Sequence, residues 1–406
     1  MSRYDYAKLR PIEVKRITHQ GQPVFFLRDP LELSQNYAFV PQILGPLLAA
    51  CNGAHSVLQM QQEFTRYIGQ FISQAEVEHL LGQLDQIYLL DNARAAEAKA
   101  RALAEFRRAP YRSPALAGLS YPAEPESLRR ELQGFMAQTP PAEELAEGWG
   151  VFSPHIDYMR GGPVYAQLWK RAAKLAREAE VVVLFGTDHN SLRPGQLTLT
   201  RQNYATPFGV LPTDQSVVDA VVDVIGEEAA FAEELHHRRE HSLELVLVWL
   251  HFIRNGAPVP IVPILNGSFQ QFIHNGASPA ADARLTQAVQ RIKEAAAGRK
   301  LFAVASGDLA HLGPAFDTDP IDPPAKAKLK QDDEAMLQPL IAGDADGFFE
   351  VIRRERGQRN VCGVAPFYLT MKLMGDNLQG EVTSYDCCLA DDRNTSFVSV
   401  CGMVFK

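Results

Sequence analysis

Cysteine is scarce in this chain of 406 residues: Cys51, Cys362, Cys387, Cys388 and Cys401 are all there are, and no two form a CxxC pair. An odd, sparse set argues against a disulfide framework and a structural zinc finger, and leaves any functional cysteine to act as a thiol or as a single metal ligand. Basic charge is not in excess either. Forty Lys and Arg stand against 48 Asp and Glu, a formal net charge of −8, whereas a nucleic-acid binder usually carries a strongly basic domain or stripe. No stretch approaches the roughly 18 uncharged apolar residues that would span a bilayer. The opening Met1-Ser2-Arg3-Tyr4-Asp5-Tyr6 has no apolar signal core. The expectation is a cytoplasmic protein with neither nucleic acid nor membrane as partner.

What the chain does have is apolar residues in ordered patterns, 46% of the total against 22% charged, enough for one large domain and a small one. Residues 1–92 read as the small unit. An extended opening, Val24 to Pro30, leads into helical patterns at 41–51, 57–68 and 74–86, and a short apolar strand closes it at Ile87-Tyr88-Leu89-Leu90-Asp91. Helices followed by a short strand are the layout of a winged helix, and the details resemble PqqD-like domains, which hold precursor peptides. Residues 93–113 carry an alanine-rich run of high helix propensity and then prolines, the pattern of a helical linker. From 114 to 406, strand-like runs at 181–185, 260–265 and 301–305 alternate with amphipathic stretches at 167–179, 216–225 and 282–297, and Thr395 to Phe405 looks like a last strand. The fold class that follows is α/β, with a central mixed, largely parallel sheet and helices on both faces.

Three apolar runs in this larger part each end in a histidine: Gly150 to His155, Val181 to His189 and Leu301 to His311. Ligands collect beyond the carboxyl ends of strands in open α/β sheets, so these imidazoles stand where a metal or catalytic site would form. His155 precedes Asp157 and an expected turn at Gly161-Gly162-Pro163, and Asp188 is placed to support His189 through hydrogen bonding. Glu240-His241-Ser242-Leu243-Glu244 opens a helix that must dive into the core. It offers His241 as a proton donor or polarising group oriented by Glu240 and Glu244, although acidic residues also suit a helix start as plain caps. Asp308 and His311 lie three apart, as on one helical turn, which suits an oriented general base. Cys362 lies just before a helix expected near Pro366, where a thiolate is favoured. Each of these residues taken singly also suits an ordinary structural role. Two histidines with an anionic ligand favour a mononuclear iron site, a thiolate in the anionic place shifts the preference toward iron or copper, and zinc is chemically sound too.

From about Pro114 to Lys406 these motifs, in their order and spacing, resemble the Memo family, whose bacterial members are called AmmeMemoRadiSam system protein B. The matching pieces are Ser153 to Tyr158 with Gly161-Gly162, Gly186 to His189, Glu240 to Glu244, Ser306 to His311 and Asn360 to Gly363. The resemblance implies a fold like that of class III extradiol ring-cleaving dioxygenases. It makes His155, His189 and Cys362 the ligands of one metal ion, with Fe(II) first and Cu or Zn as alternatives, and puts His311 where those dioxygenases keep their catalytic base, His241 near their second cleft histidine, and Asp308 as an acidic partner. The chain departs from the animal pattern at Asn190 and Gly307, and from short members at 267–281 and in the whole amino-terminal part. The function expected on this basis is a metal-dependent, oxygen-using redox protein acting on a peptide or protein linked to a radical-SAM partner. A metal-dependent hydrolase and a non-enzymatic peptide-binding adaptor are the alternatives.

Overall fold

A computed structural model describes residues 2–406, and they divide into two compact units whose boundary falls between Arg108 and Ala109. In the first unit, β1 (Glu13–His19), β2 (Gln22–Arg28) and β3 (Ala38–Pro41) form an antiparallel sheet in that order. Helices α1 (Gly45–Ala50), α2 (Val57–Ile68), α3 (Gln74–Gln86) and α4 (Ala93–Arg108) follow. Reciprocal capping boxes, Ser56 with Gln59 and Ser73 with Glu76, start α2 and α3, each satisfying two amide donors that a helix start otherwise leaves unpaired. Leu27, Met60, Leu81 and Leu84 lie in the core. The expected strand at 87–91 is only a single bridge between Leu90 and Leu9, because Tyr88 takes a left-handed φ of 61° that breaks the extended run. The expected linker also differs: residues 93–108 are one helix grouped with the first unit. That helix buries Ala95, Ala98, Ala102 and Phe106, a stripe made mostly of alanine and therefore faint in a hydrophobicity pattern.

The second unit runs α5 (Pro125–Gln138), β4 (Gly150–Ser153), α6 (Tyr158–Arg171), α7 (Ala173–Glu178), β5 (Val181–Thr187), β6 (Leu197–Leu199), β7 (Tyr204–Thr206), β8 (Gly209–Leu211), α8 (Gln215–Ile225), α9 (Glu227–Phe231), α10 (His241–Ile253) and β9 (Ile261–Asn266). It continues with α11 (Gln270–Asn275), α12 (Ala283–Ala295), β10 (Leu301–Ser306), β11 (His311–Leu312), α13 (Pro323–Ile341), α14 (Ala345–Arg354), α15 (Val364–Met374), β12 (Gly380–Leu389) and β13 (Phe397–Phe405). The main sheet has the order β11-β13-β4-β10-β5-β9-β6, with β12 also on β13. Its four middle strands are mutually parallel, and the flanking pairings are antiparallel. This is the mixed α/β sheet expected from the alternation of runs.

Alternate residues of the middle strands feed two cores. Val181, Val183 and Phe185 of β5, with Ala303 and Ala305 of β10, join one that includes α8, α12, α14 and α15; Val182, Leu184, Phe302 and Val304 join the other, with α6 and α10. Burial on both faces is why these strands read as unbroken apolar runs rather than alternating ones. The expected turn at Gly161-Gly162-Pro163 is instead the interior of α6, capped by Asp157, whose side chain accepts from the Arg160 amide. Close packing explains the glycines: a Cβ on Gly161 would sit 2.4 Å from Ile156 Cγ2, and one on Gly162 2.5 Å from the Phe135 ring.

Ahead of α10, the segment Glu234–Arg238 buries His237 fully. Its Nε2–H donates to Thr198 O at 3.0 Å, and its Nδ1 accepts from Tyr204 Oη–H at 2.5 Å, an arrangement only the neutral ring can make. Burial, with a smaller contribution from nearby Arg112, pushes this imidazole down to about 3. The unfolded chain takes up a proton near pH 6.5 and the folded chain does not, so stability is complete above that pH and is lost as pH falls toward 3. The expected slope from this residue is about 1.4 kcal/mol per pH unit. Urea melts of wild type and His237→Gln between pH 7 and 5 should differ in slope by an amount that grows toward that limit as pH approaches 5; parallel curves would show that His237 is not the titrating group.

Candidate metal centre

Neighbouring parallel strands release their chains at one edge of the sheet. Ser306 of β10 is in register with Ser153 of β4 and with Gly186 of β5, so His155, His189 and Asp308, each two or three residues beyond, come out together. Two further loops close on that edge. Ser242, in the first turn of α10, donates through its hydroxyl to Thr187 O at 2.8 Å, which brings His241 to the end of β5. Thr187 Oγ1 donates to Cys362 O at 2.9 Å, and the chain before α15 turns through Asn360 in the left-handed region, φ 49°, a conformation asparagine tolerates. A Cβ on Gly307 would lie 2.4 Å from Gly363 Cα. The bare backbone there lets the Asp308 amide reach Cys362 Sγ at 3.2 Å.

The rings of His155, His189 and His241 have centroids 4.7–5.2 Å apart, with His189 and His241 stacked at 17°. Cys362 Sγ is 3.2 Å from His155 Nε2, and Asp308 Oδ2 is 3.9 Å from the same nitrogen. Two groups of donor atoms each gather within 4.8 Å, His155 with His189 and His241, and His155 with Asp308 and Cys362. His155 belongs to both. The hydrogen bonds fix which nitrogen faces inward. Ser306 Oγ donates its one proton to Ser242 O, so at the 3.3 Å contact between Ser306 Oγ and His155 Nδ1 it is the ring that donates. Glu240 Oε1 accepts from Nδ1 of both His189 and His241 at 3.0 Å. Nδ1 is thus the committed nitrogen of all three imidazoles, and Nε2 is the one left for a metal, which would take the place of any proton there.

The electrostatics follow from burial and from this crowding. Burial, reinforced by His189 and His241, holds His155 well below the ordinary histidine range. The surrounding protein also opposes a charge on His189 although that residue is exposed, but Glu240 and Cys362 outweigh it and carry the ring well above its usual value. Burial disfavours an ionised Glu240 too, yet the two histidines hold it well below the carboxylate range. The Cys362 thiol is pushed up by burial, with His189 acting in the opposite sense. Burial thus works against the thiolate that the start of α15 favours, and the neighbouring His189 works for it. Asp308 is raised by burial.

Several expected roles are redistributed. Glu240 orients His241 as anticipated and His189 as well, but Glu244 turns away: it pairs with Arg112 and accepts from the Ala115 and Leu116 amides at 2.8 Å. Asp188 supports His236 at 2.8 Å rather than His189, inside a second buried group of Asp188, Glu233 and His236. Asp308 and His311 share no helical turn. Residues 307–310 are irregular and His311 begins β11, so Asp308 Oδ1 accepts from the amides of His155 at 2.8 Å and Ile156 at 3.3 Å. His311 is held instead by Nδ1–H facing Leu309 O at 3.2 Å and Asn360 O at 3.1 Å, again with Nε2 free. Burial lowers its basicity, and Asp308 opposes that. Cys51, Cys388 and Cys401 are buried and Cys387 is half-buried.

A cavity of about 270 Å³ adjoins His189 and Cys362. Ser268, Phe269, Gln270 and Ile273 line it, and all four come from 267–281, the segment that reads as an insertion in the sequence.

The fold and the site define an α/β protein with a cluster of imidazole, thiol and carboxylate groups, able to hold a metal ion, at the carboxyl edge of its parallel strands; His155 and Asp308 are buried, His241 and Cys362 half-buried and His189 exposed. The particular family follows from comparison. Residues 112–404 match the profile of the Memo-like proteins, and the chain belongs to the Memo family. A MEMO1 family protein of Aquifex aeolicus is 25% identical over 401 residues, 94% of this chain and 96% of the relative; that extent takes in most of the first unit. One from Methanopyrus kandleri is 29% identical over 68% of this chain and 91% of its own length, and one from Archaeoglobus fulgidus 28% over 73% and 99%. Among the described residues, no helix is long and apolar enough to cross a membrane.

Proposed function

We propose that this chain is a mononuclear metal-dependent redox protein in which His155, His189 and Cys362 hold one ion, with Fe(II) the first choice and Cu the second. The observation that carries the reading is the set of three imidazoles anchored through Nδ1, with the Cys362 thiol 3.2 Å and the Asp308 carboxylate 3.9 Å from His155 Nε2. Nitrogen donors with a thiolate favour iron or copper over hard cations. A redox metal bound there would supply electron transfer and an open position for oxygen or substrate.

The chain's own groups do the rest. His311, with Nδ1 committed to two carbonyls, presents Nε2 as a proton acceptor. His241 donates or accepts beside it, with Glu240 fixing its ring. Asp308 ties the backbone of His155 to the loop of Cys362, and the cavity beside His189 receives the substrate.

The test is elemental analysis of protein purified without oxygen, with absorption spectra before and after air. Near-stoichiometric iron or copper with a spectral response to air is expected. Stoichiometric zinc with no response would make hydrolysis through a metal-bound water the better reading, and a metal-free protein would leave peptide binding without turnover.

A further inference from the structure

A second buried ion pair joins Arg359, 6% exposed, to Asp333 of α13, which is fully buried. The same guanidinium grips Glu355, just past α14, through two parallel bonds, Nε to Oε2 at 2.8 Å and Nη2 to Oε1 at 3.0 Å. Asp333 Oδ2 accepts from the Tyr385 hydroxyl at 2.9 Å. None of these side chains is a group of the metal centre, but the backbone they anchor meets one. Arg359 O accepts from the His311 amide at 2.8 Å. The next carbonyl, Asn360 O, accepts from His311 Nδ1–H at 3.1 Å, and Asn360 Nδ2–H₂ donates to His311 O at 3.4 Å. Residues 359 and 360 thus hold His311 at its amide, its ring and its carbonyl, and Cys362 follows two residues later. Buried ion pairs contribute little net stability, and their best-attested use is to fix geometry.

We infer that Arg359 is a positioning residue of the metal centre: its guanidinium, held between Asp333 and Glu355, sets the Arg359 and Asn360 carbonyls where they keep His311 in the Nδ1–H tautomer, with Nε2 left to receive a proton. This rests on the reading of His311 as the proton acceptor of the centre. Which nitrogen of a neutral imidazole carries the proton is decided by the hydrogen bond that it makes. Leu309 O, at 3.2 Å, supplies one acceptor from the segment of His311 itself. Asn360 O supplies the other, and it owes its place to the left-handed turn, φ 49°, that follows Arg359 directly. A lysine at 359 would keep the charge but lose the planar fork that spans both carboxylates.

The test is a long-range proton–nitrogen correlation spectrum of the histidine rings in the full-length protein, treated with a chelator so that no metal occupies Nε2, at a pH above the ordinary histidine value of about 6.5. The His311 signals are those missing from His311→Asn. Wild type is expected to show His311 chiefly as Nδ1–H, and Arg359→Lys and Arg359→Met a mixture of both tautomers. His237, held as Nε2–H by Thr198 O, is the internal standard and should not change. Should Arg359→Met fail to fold, Arg359→Lys carries the test together with Glu355→Gln, which removes one arm of the grip at a half-buried position and should move the tautomer in the same direction by less. A His311 ring unmoved in the folded variants, even where their urea midpoints fall, or an Nε2–H ring in wild type, would overturn the assignment. Iron and copper content of the same proteins purified without oxygen keeps the two readings apart. Metal present with an unmoved tautomer sinks only the role of Arg359, whereas a moved tautomer in a protein that holds no metal leaves the positioning of His311 standing and sinks only the metal reading.

Discussion

His155→Ala is expected to abolish metal binding outright, whereas His241→Ala should leave it near stoichiometric and cost the response to oxygen. The asymmetry comes from the donor geometry. His155 is common to both converging groups at this centre, the three-histidine one and the one with Asp308 and Cys362, so neither survives its removal. Cys362→Ser and His189→Ala should each also lose the ion. Glu240→Gln should weaken binding by about 10–100-fold without removing a ligand, because that carboxylate takes the Nδ1 protons of His189 and His241. Elemental analysis and metal titration across the series distinguish the assignments. If His241→Ala loses its metal while Cys362→Ser keeps it, the ligands are the three histidines and the thiol belongs to the surroundings.

The histidines were legible in the sequence because doubly buried parallel strands leave an unmistakable trace. Each is an unbroken apolar run, and a polar residue just past its end has one place to go. Glu240 was legible for the same kind of reason, standing immediately before a largely apolar helix. The partnerships were not. Glu240 and Glu244 are four apart on one segment and look equivalent, yet Glu240 caps α10 from outside its first turn while Glu244 lies inside it, on a side that faces Arg112 from more than a hundred residues away. Asp308 looked like the orienter of His311 because helical spacing was assumed for a loop whose path is set by the meeting of Gly307 and Gly363.

Glu244→Gln is expected to destabilise the second unit by about 3–5 kcal/mol, the cost of leaving a buried charge without its partner. Arg112 and Glu244 are each 1% exposed. Around the pair, Arg112 Nε donates to His237 O at 2.9 Å and Nη2 to Glu240 O at 3.0 Å, while Glu244 collects two amides and the Tyr121 hydroxyl. Burying two ions recovers little net energy even in good geometry, so the pair's contribution is better sought in what it holds in place. That is the segment from His237 to Glu240, and Glu240 in turn fixes two imidazoles of the metal centre. Arg112→Met with Glu244→Leu should therefore restore most of the urea stability lost in Glu244→Gln, while metal affinity stays below wild type because the Glu240 carbonyl has lost its donor. Recovery of stability and affinity together would show that the pair acts only as packing. Recovery of stability alone would show that this ion pair, remote from the ligands in sequence, positions the metal centre.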